Sequence, residues 1–195
     1  AISDVAWIRE AMRRANRPDM PMETGPAIAT FATSVAAAIS EEIGIRRTDL
    51  GVVAMLNEMK TDFERLNRHQ LFTQQRVDTL ALVDPVIGGY AGPPEGAALV
   101  GLAARILSVV TYGSKAGIFH PCHMNLKLGT TSHPMTMWVQ NVVGQAATRN
   151  SGIVVFANVF TSARCNTKMI LYEIAANTIG IVASGCHVGP GVGGA

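Results

Sequence analysis

Charge is scarce in this sequence. Only 15% of its 195 residues are Asp, Glu, Lys or Arg, and the net charge is +2. No run of Lys or Arg exceeds two and aromatics make up 6%, so nothing marks a nucleic-acid surface. The cysteines are Cys122, Cys165 and Cys186, odd in number and far apart. They make no disulfide framework, which favours a reducing, cytoplasmic location. Ala1-Ile2-Ser3-Asp4 lacks the basic-then-apolar build of a leader. The longest uncharged stretch, 174–195, contains six glycines together with Asn177 and His187, a poor membrane span. No Gly-x-Gly-x-x-Gly turn separates an early strand from its helix, and no Walker-type loop is present, so a dinucleotide or P-loop site is disfavoured. A Ser/His/Asp elbow and a cysteine with an evident histidine base are also missing.

What remains is apolar and rhythmic. Hydrophobic residues reach 48%, enough for one sizeable core. A mean hydropathy of +0.24 suits a buried α/β enzyme, or a protein that hides surface in an oligomer. Helical spacing marks 3–16, stopped by Arg17-Pro18, and 31–44, stopped by Gly44. Leu50 to Leu56 reads as a buried strand. Residues 57–75 are polar and helix-prone, with Leu66, Leu71 and Phe72 able to pack inward. A strand follows from Leu80 to Ile87, and a strong helix over 94–112. Another strand runs from Ile118 to Leu126. A helix opens at Ser132 or His133-Pro134 and runs to about 147. Ile153 to Phe160 is the most apolar strand, and a last helix covers Asn166 to about Ala183. Residues 189–195 read as a loop in mid-course. With no Met at position 1, this suggests a fragment of a longer protein.

Alternating strands and helices argue a parallel sheet covered on both faces, in a single α/β domain of about five βα units. Part of a (βα)8 TIM barrel is favoured over an open doubly wound sheet. In either architecture ligands bind at strand ends, so the turn Ile87-Gly88-Gly89-Tyr90-Ala91 draws attention. Carboxylates near strand ends are Glu23, Glu58 and Asp84, suited to acid–base work or to holding a cation. Asp84 lies inside an apolar run, where burial demands a partner. Asn158 interrupts an apolar strand and must find hydrogen bonds or a ligand. Tyr90 can donate a hydrogen bond or face a cation with its ring. His120, Cys122 and His123 form the densest group of metal-capable atoms, with Cys165 or Cys186-His187 as further candidates. The bland alternative for that group is a polar strand end bent by Pro121.

Three blocks give the chain a family resemblance. They are Arg17-Pro18-Asp19-Met20 with Gly25-Pro26, Leu56-Asn57-Glu58-Met59-Lys60 with Thr48-Asp49 before it, and Ile87-Gly88-Gly89-Tyr90-Ala91-Gly92. Weaker echoes are Gly129-Thr130-Thr131 and the segment from Thr167 through Met169 and Leu171 to Glu173. In order and spacing they resemble the monomethylamine:corrinoid methyltransferases of methylotrophic methanogens, over nearly the whole chain. The resemblance implies an oligomeric (βα)8 barrel that moves a methyl group from methylamine to the Co(I) of a corrinoid (cobalamin) carried by a partner protein. No cofactor is then bound by the barrel itself. It places at the bottom of the barrel cleft a pyrrolysine whose imine captures the amine, just before the Gly-Pro pair. Here Glu23-Thr24 precede Gly25-Pro26, and Thr24 takes that position. Leu82 and Val52 fall where the family has carboxylates. Asn158 and Phe160 replace an active-site Gln and Tyr.

Thr24 cannot form an imine adduct, so the resemblance points to a donor that leaves well without capture. A quaternary ammonium does so, departing as a neutral amine. It would want aromatic faces and carboxylates, for which Tyr90, Phe160, Glu23 and Asp84 are candidates, with Asn57 and Glu58 nearby. Thr24, Glu23, Asp84 and Asn158 are thus the catalytic candidates. Tyr90, Phe160, Glu58 and Asn57 are the candidates for binding substrate. Two other readings compete: a repurposed barrel that binds a small ligand or corrinoid protein and transfers nothing, and a zinc enzyme using His120, Cys122 and His123.

Overall fold

The computed structural model describes residues 2–23, 31–40, 44–114, 116–119, 121–123 and 130–194. The helices are α1 (Ile2–Arg14), α2 (Ala32–Ser40), α3 (Phe63–Gln74), α4 (Pro94–Tyr112), α5 (Pro134–Asn150) and α6 (Lys168–Ala183). The strands are β1 (Leu50–Ala54), β2 (Asp78–Val83), β3 (Val86–Ile87), β4 (Ala116–Phe119), β5 (Cys122–His123), β6 (Val154–Thr161) and β7 (His187–Gly194). Local chemistry explains several ends. Asp62 caps α3 by accepting from the Arg65 N–H, Pro94 opens α4, and Gly113 closes it in the left-handed conformation. The helix expected from residue 57 begins six residues later, because 57–60 form a turn in which Met59 takes a positive φ of 57°. Phe72 is buried as expected, whereas Leu66 faces solvent.

The main sheet is wholly parallel, in the order β1-β2-β4-β6-β7. That order never reverses, so there is no switch point and the doubly wound alternative falls. Sequential parallel strands joined by helices make a barrel wall. Side chains alternate across it. Val53, Ala81, Val83, Phe119, Val155, Ala157 and Val159 join one large core with Phe72 of α3, Ala104 of α4, Val139 of α5 and Ile181 of α6. Val52, Leu80 and Ile118 form a second cluster, against which Leu50, Leu82, Ala116 and Phe156 pack. The second cluster contains strand residues alone, so the described helices cover one face of the sheet, not both. The other face is the lumen.

Two expected strands, Leu80–Ile87 and Ile118–Leu126, are each broken by proline. Val83 pairs with Phe119, then Pro85 and Pro121 interrupt, and pairing resumes at Val86 with Cys122 and Ile87 with His123. Proline cannot donate to the ladder, so both chains leave the main sheet together and form a separate two-stranded flap. Residues 124–126 lie outside the described ones. The stretch 189–194, read as a loop from its glycines, is strand β7. It pairs with β6 across an irregularity at Gly189-Pro190-Gly191. Partners supplied by β6 override the weak strand preference of glycine there.

Two buried charges have opposite standing. Asp49 accepts hydrogen bonds from the Met22 N–H (2.9 Å) and the Arg46 N–H (2.6 Å) and pairs with the buried Arg9 of α1. The Leu50 N–H then donates to the Met22 carbonyl at 2.9 Å, and Glu23 bridges Leu50 in parallel. Among the described residues Arg105 of α4, fully buried, reaches the Ala81 carbonyl (3.4 Å) and Ser108 Oγ (3.2 Å), and its Nε and Nη2 find no acceptor there. Burial pushes its guanidinium down to about 10. A Cβ at position 117 would stand 1.7 Å from Arg105 Nη1, so β4 needs glycine there. The two charges should therefore respond oppositely to removal. Asp49→Ala strands Arg9 and two backbone donors, and should cost about 3–5 kcal/mol, lowering Tm by roughly 10 °C. Arg105→Met should leave Tm unchanged or raise it. Thermal unfolding followed by circular dichroism checks both.

Candidate functional site

The lumen brings together residues that alternate with the core. Since Ala157 and Val159 face the helices, Phe156, Asn158 and Phe160 face the lumen. A cavity of about 320 Å³ opens there, lined by Glu23, Leu50, Leu80, Phe156 and Val188 with the Pro21–Met22 segment and Gly189. Its walls are apolar, and Glu23 supplies its carboxylate. Met22, one residue earlier, packs into the helix-side core, which fixes Glu23 toward the lumen. The Phe156 ring stands 5.8 Å from that of His187, its register partner on β7.

Asn158 is buried and lies against β7. A Cβ on Gly189 would come within 2.2 Å of Asn158 Oδ1, so glycine at 189 makes room for the amide. Phe160 is half-buried. Its backbone is held by Thr131, whose N–H donates to the Phe160 carbonyl (2.8 Å) and whose Oγ1 accepts from the Phe160 N–H (2.9 Å); Thr130 Oγ1 also donates to that carbonyl (2.6 Å). Thr130 and Thr131 of that echo therefore act as a clamp on the strand that carries Asn158 and Phe160.

The other candidates do not converge on one point. Asn57 Nδ2 donates to the Asp84 carbonyl at 2.6 Å, so these two residues meet at the C-terminal end of β1 and β2. Glu23 is level with Leu50, and Leu50 with Asp78. Six residues of strand, about 20 Å, separate that level from Asp84. Glu23 and Asp84 do not form a single cation cage. Tyr90 is 72% exposed on the turn that follows β3, and Glu58 is also exposed. Thr24 and His120 lie outside the described residues. So do the side chains of Cys122 and His123, whose backbone forms β5 in the flap. Cys186 is buried beside Gly144, and burial raises its thiol to about 11, away from thiolate chemistry. Among the described residues no three metal-capable side chains gather.

Phe156 and His187 join the lumen face without a signal in residue type alone. Period-two counting back from Asn158 would have found Phe156. His187 lay in a stretch whose glycines hid the strand. The aliphatic residues at 52 and 82 belong to the lumen surface, as Val52 and Leu82 show by packing with Leu80 and Ile118. The described lumen face is thus apolar, with a carboxylate below and an amide above. Such a surface suits a small body with an apolar exterior and positive charge.

A family model described as monomethylamine methyltransferase MtmB matches residues 1–195. The monomethylamine methyltransferase MtmB2 of Methanosarcina acetivorans is 26% identical over 197 residues, covering 98% of this chain and 41% of that protein. MtmB1 of Methanosarcina barkeri is 26% identical over 195 residues, with the same coverage. The crystal structures of the Methanosarcina barkeri monomethylamine methyltransferase and of a hydroxylamine MtmB complex superpose with a TM-score of 0.85 at 23% identity. They cover the whole chain and 41% of their own, and at that identity they speak for the fold alone. The chain spans about two fifths of the length of these relatives.

Glu173 of α6 braces the rim beside this site. It accepts from Ser132 Oγ (2.5 Å), the Ser162 N–H (2.7 Å) and the Ala163 N–H (3.4 Å), joining the start of α5 to the end of β6. Burial pushes its pKa up, but those hydrogen bonds outweigh it and the carboxyl ends lowered. A lowered native pKa stabilises the fold above the unfolded value and ceases to do so as pH falls through the native one. Glu173→Gln should therefore cost about 1–3 kcal/mol at neutral pH. The deficit should be full above about pH 4.3 and shrink below it. Denaturant titrations across pH measure this.

Proposed function

The chain belongs to the monomethylamine methyltransferase family, and on that premise we propose that its full-length protein transfers a methyl group from a methylated amine to the Co(I) of a corrinoid held by a partner protein. The observation that carries this reading is the family match over all 195 residues. The lumen supports it, because apolar walls and one carboxylate suit a methylated cation. The corrinoid belongs to the partner, and no residue here is assigned to hold it.

Thr24 carries no imine, and Val52 and Leu82 bring no charge to the middle of the lumen. The donor must then leave unaided, and a quaternary ammonium fits. Its methyl carbon bonds to cobalt with the Co(I) electron pair. The C–N pair stays with nitrogen, which departs as a neutral tertiary amine. Glu23 balances the cation before transfer, Phe156 offers a ring face, and Asn158 and Phe160 bound the upper lumen. These groups orient the methyl carbon and exclude water. Asn57 and Asp84 shape the C-terminal rim from which the acceptor approaches. Thr24 stands next to Glu23 in sequence and contributes a hydroxyl.

The test combines full-length protein, a Co(I)-loaded corrinoid partner and a panel of methylated amines, followed by the cobalt spectrum. Conversion to methyl-Co(III) with a quaternary amine is expected. Absence of conversion from folded protein that still binds its partner would favour a repurposed barrel. Zinc at one equivalent by metal analysis would instead support the metal reading of His120, Cys122 and His123. Within an active system, Glu23→Gln should raise KM about 10–100-fold, the worth of one charge-assisted contact. Tyr90→Phe should change neither kcat nor KM appreciably.

A further inference from the structure

Arginine is unevenly spread along this chain. Residues 9–19 and 44–49 hold Arg9, Arg13, Arg14, Arg17, Arg46 and Arg47, six of the 16 basic residues, against three carboxylates, Glu10, Asp19 and Asp49. This corner therefore carries an excess of +3, and the rest of the chain −1. It comprises the end of α1, the turn that follows and the segment leading into β1, so it lies at the N-terminal end of the strands. The rim where Asn57 meets Asp84 is at the other end. Two cavities open at the corner and share Pro18 as a wall. One, of about 220 Å³, is lined by Arg9, Arg13 and Arg46 with Glu10. The other, of about 440 Å³, is lined by Arg17 with Asn16 and Asp19.

Two of the three carboxylates are already engaged. Asp49 is taken by the buried Arg9 and two backbone donors. Glu10 is shared by Arg13 and Arg14, each at 2.8 Å, and their hydrogen bonds hold its pKa down to about 2, so it stays ionised and fixes both side chains. Arg13 spends Nε and Nη2 on Glu10, which leaves its Nη1 for another acceptor. Arg46 donates through Nη1 to the Pro18 carbonyl at 3.0 Å, which leaves its Nε and Nη2. Among the described residues no carboxylate pairs with the side chain of Arg17, Arg46 or Arg47. The dipole of α1 accounts for Arg13 and Arg14, which stand in its last turn. It does not account for Arg46, which arrives from another segment and lines the same cavity. Gathered like charges repel one another, and an anion between them offsets that cost. Guanidinium forks match phosphate oxygens in pairs, and they do so without a glycine-rich loop. Two adjoining cavities suit two linked phosphoryl groups.

We propose that this corner binds the diphosphate group of a soluble phosphate compound, with one phosphoryl group between Arg13 and Arg46 and the next toward Arg17. Arg9 and the Arg46 N–H also hold Asp49, so the bound anion braces the clasp that sets Glu23 beside Leu50. The site stands apart from the lumen and does not depend on methyl transfer.

The experiment titrates inorganic pyrophosphate into the full-length protein by calorimetry, at an ionic strength held constant with sodium chloride. Saturable one-to-one binding is expected. It should weaken about 10-fold or more in Arg46→Gln and in Arg13→Gln, the worth of one charge-assisted contact, and should be unchanged in Arg76→Gln beyond α3. A ligand of the folded state raises Tm, so pyrophosphate should raise the Tm of wild type and not that of the two site variants. Orthophosphate should bind more weakly than pyrophosphate. ADP is the remaining arm: tighter binding than pyrophosphate assigns the diphosphate to a nucleotide, and weaker binding assigns it to the free anion. Because a variant can fail to fold, arginine modification of wild type by phenylglyoxal, read by mass spectrometry, gives a second measurement. Pyrophosphate should protect Arg13 and Arg46 and leave Arg76 reactive. No saturable binding to folded wild type, undiminished affinity in the folded site variants, equal affinity for orthophosphate, or no protection of either arginine would overturn the proposal.

Discussion

The buried carboxylate of Asp49 sets the geometry on which the lumen depends. It holds Arg9 of α1, the N–H of Met22 and the N–H of Arg46 at once. These bonds place Met22 and Glu23 beside Leu50 in a single register. A slip of one residue would send Glu23 into the helix-side core and Met22 into the lumen. Neither is tolerable: a carboxylate in the apolar helix-side core would be costly, and the cavity would lose its charge. The clasp is therefore a device for polarity as much as for stability. Glu173 does the corresponding work at the opposite rim, tying the start of α5 to the end of β6 beside Asn158 and Phe160.

Between these two clasps the described lumen face is mostly hydrocarbon. Two of its levels carry Val52 and Leu82, where the resemblance led one to expect carboxylates. The chemistry is thereby shifted from many polar contacts to few. A ligand in such a space is held by shape, by aromatic faces such as Phe156, and by one charge at its foot. That combination discriminates by size and by charge, and it does little to polarise a bond. Under the proposed methyl transfer, reactivity is left to the donor's own leaving group and to the acceptor, which is why a permanently charged donor is proposed.

Much of this was legible in the residues. Continuous apolar strands, capping prolines at 94 and 134, and the repeated strand-to-helix rhythm gave the parallel architecture, because those signals are local. What escaped was set by tertiary pairing. Pro85 and Pro121 look like separate kinks until the register shows them side by side, releasing two strands together. The glycines of 187–194 read as loop because strand propensity is low, but pairing with β6 compensates. The one-sided helix layer was invisible too, since a strand buried against a lumen and a strand buried against helices carry the same apolar run. For the site, residue types were recognised and distances were not. Glu23 and Asp84 share a chemistry, yet a strand's length divides them. Phe156 looked like core because it is apolar, and only the alternation around Ala157 and Val159 assigns it to the lumen.

The most direct measurement is a crystal structure of the full-length protein soaked with tetramethylammonium. The cation should lie inside the lumen, above Glu23 and against the ring of Phe156, with Asn158 over it. A lumen filled by the protein's own side chains, with the cation instead at the exposed Tyr90 turn or nowhere, would contradict it.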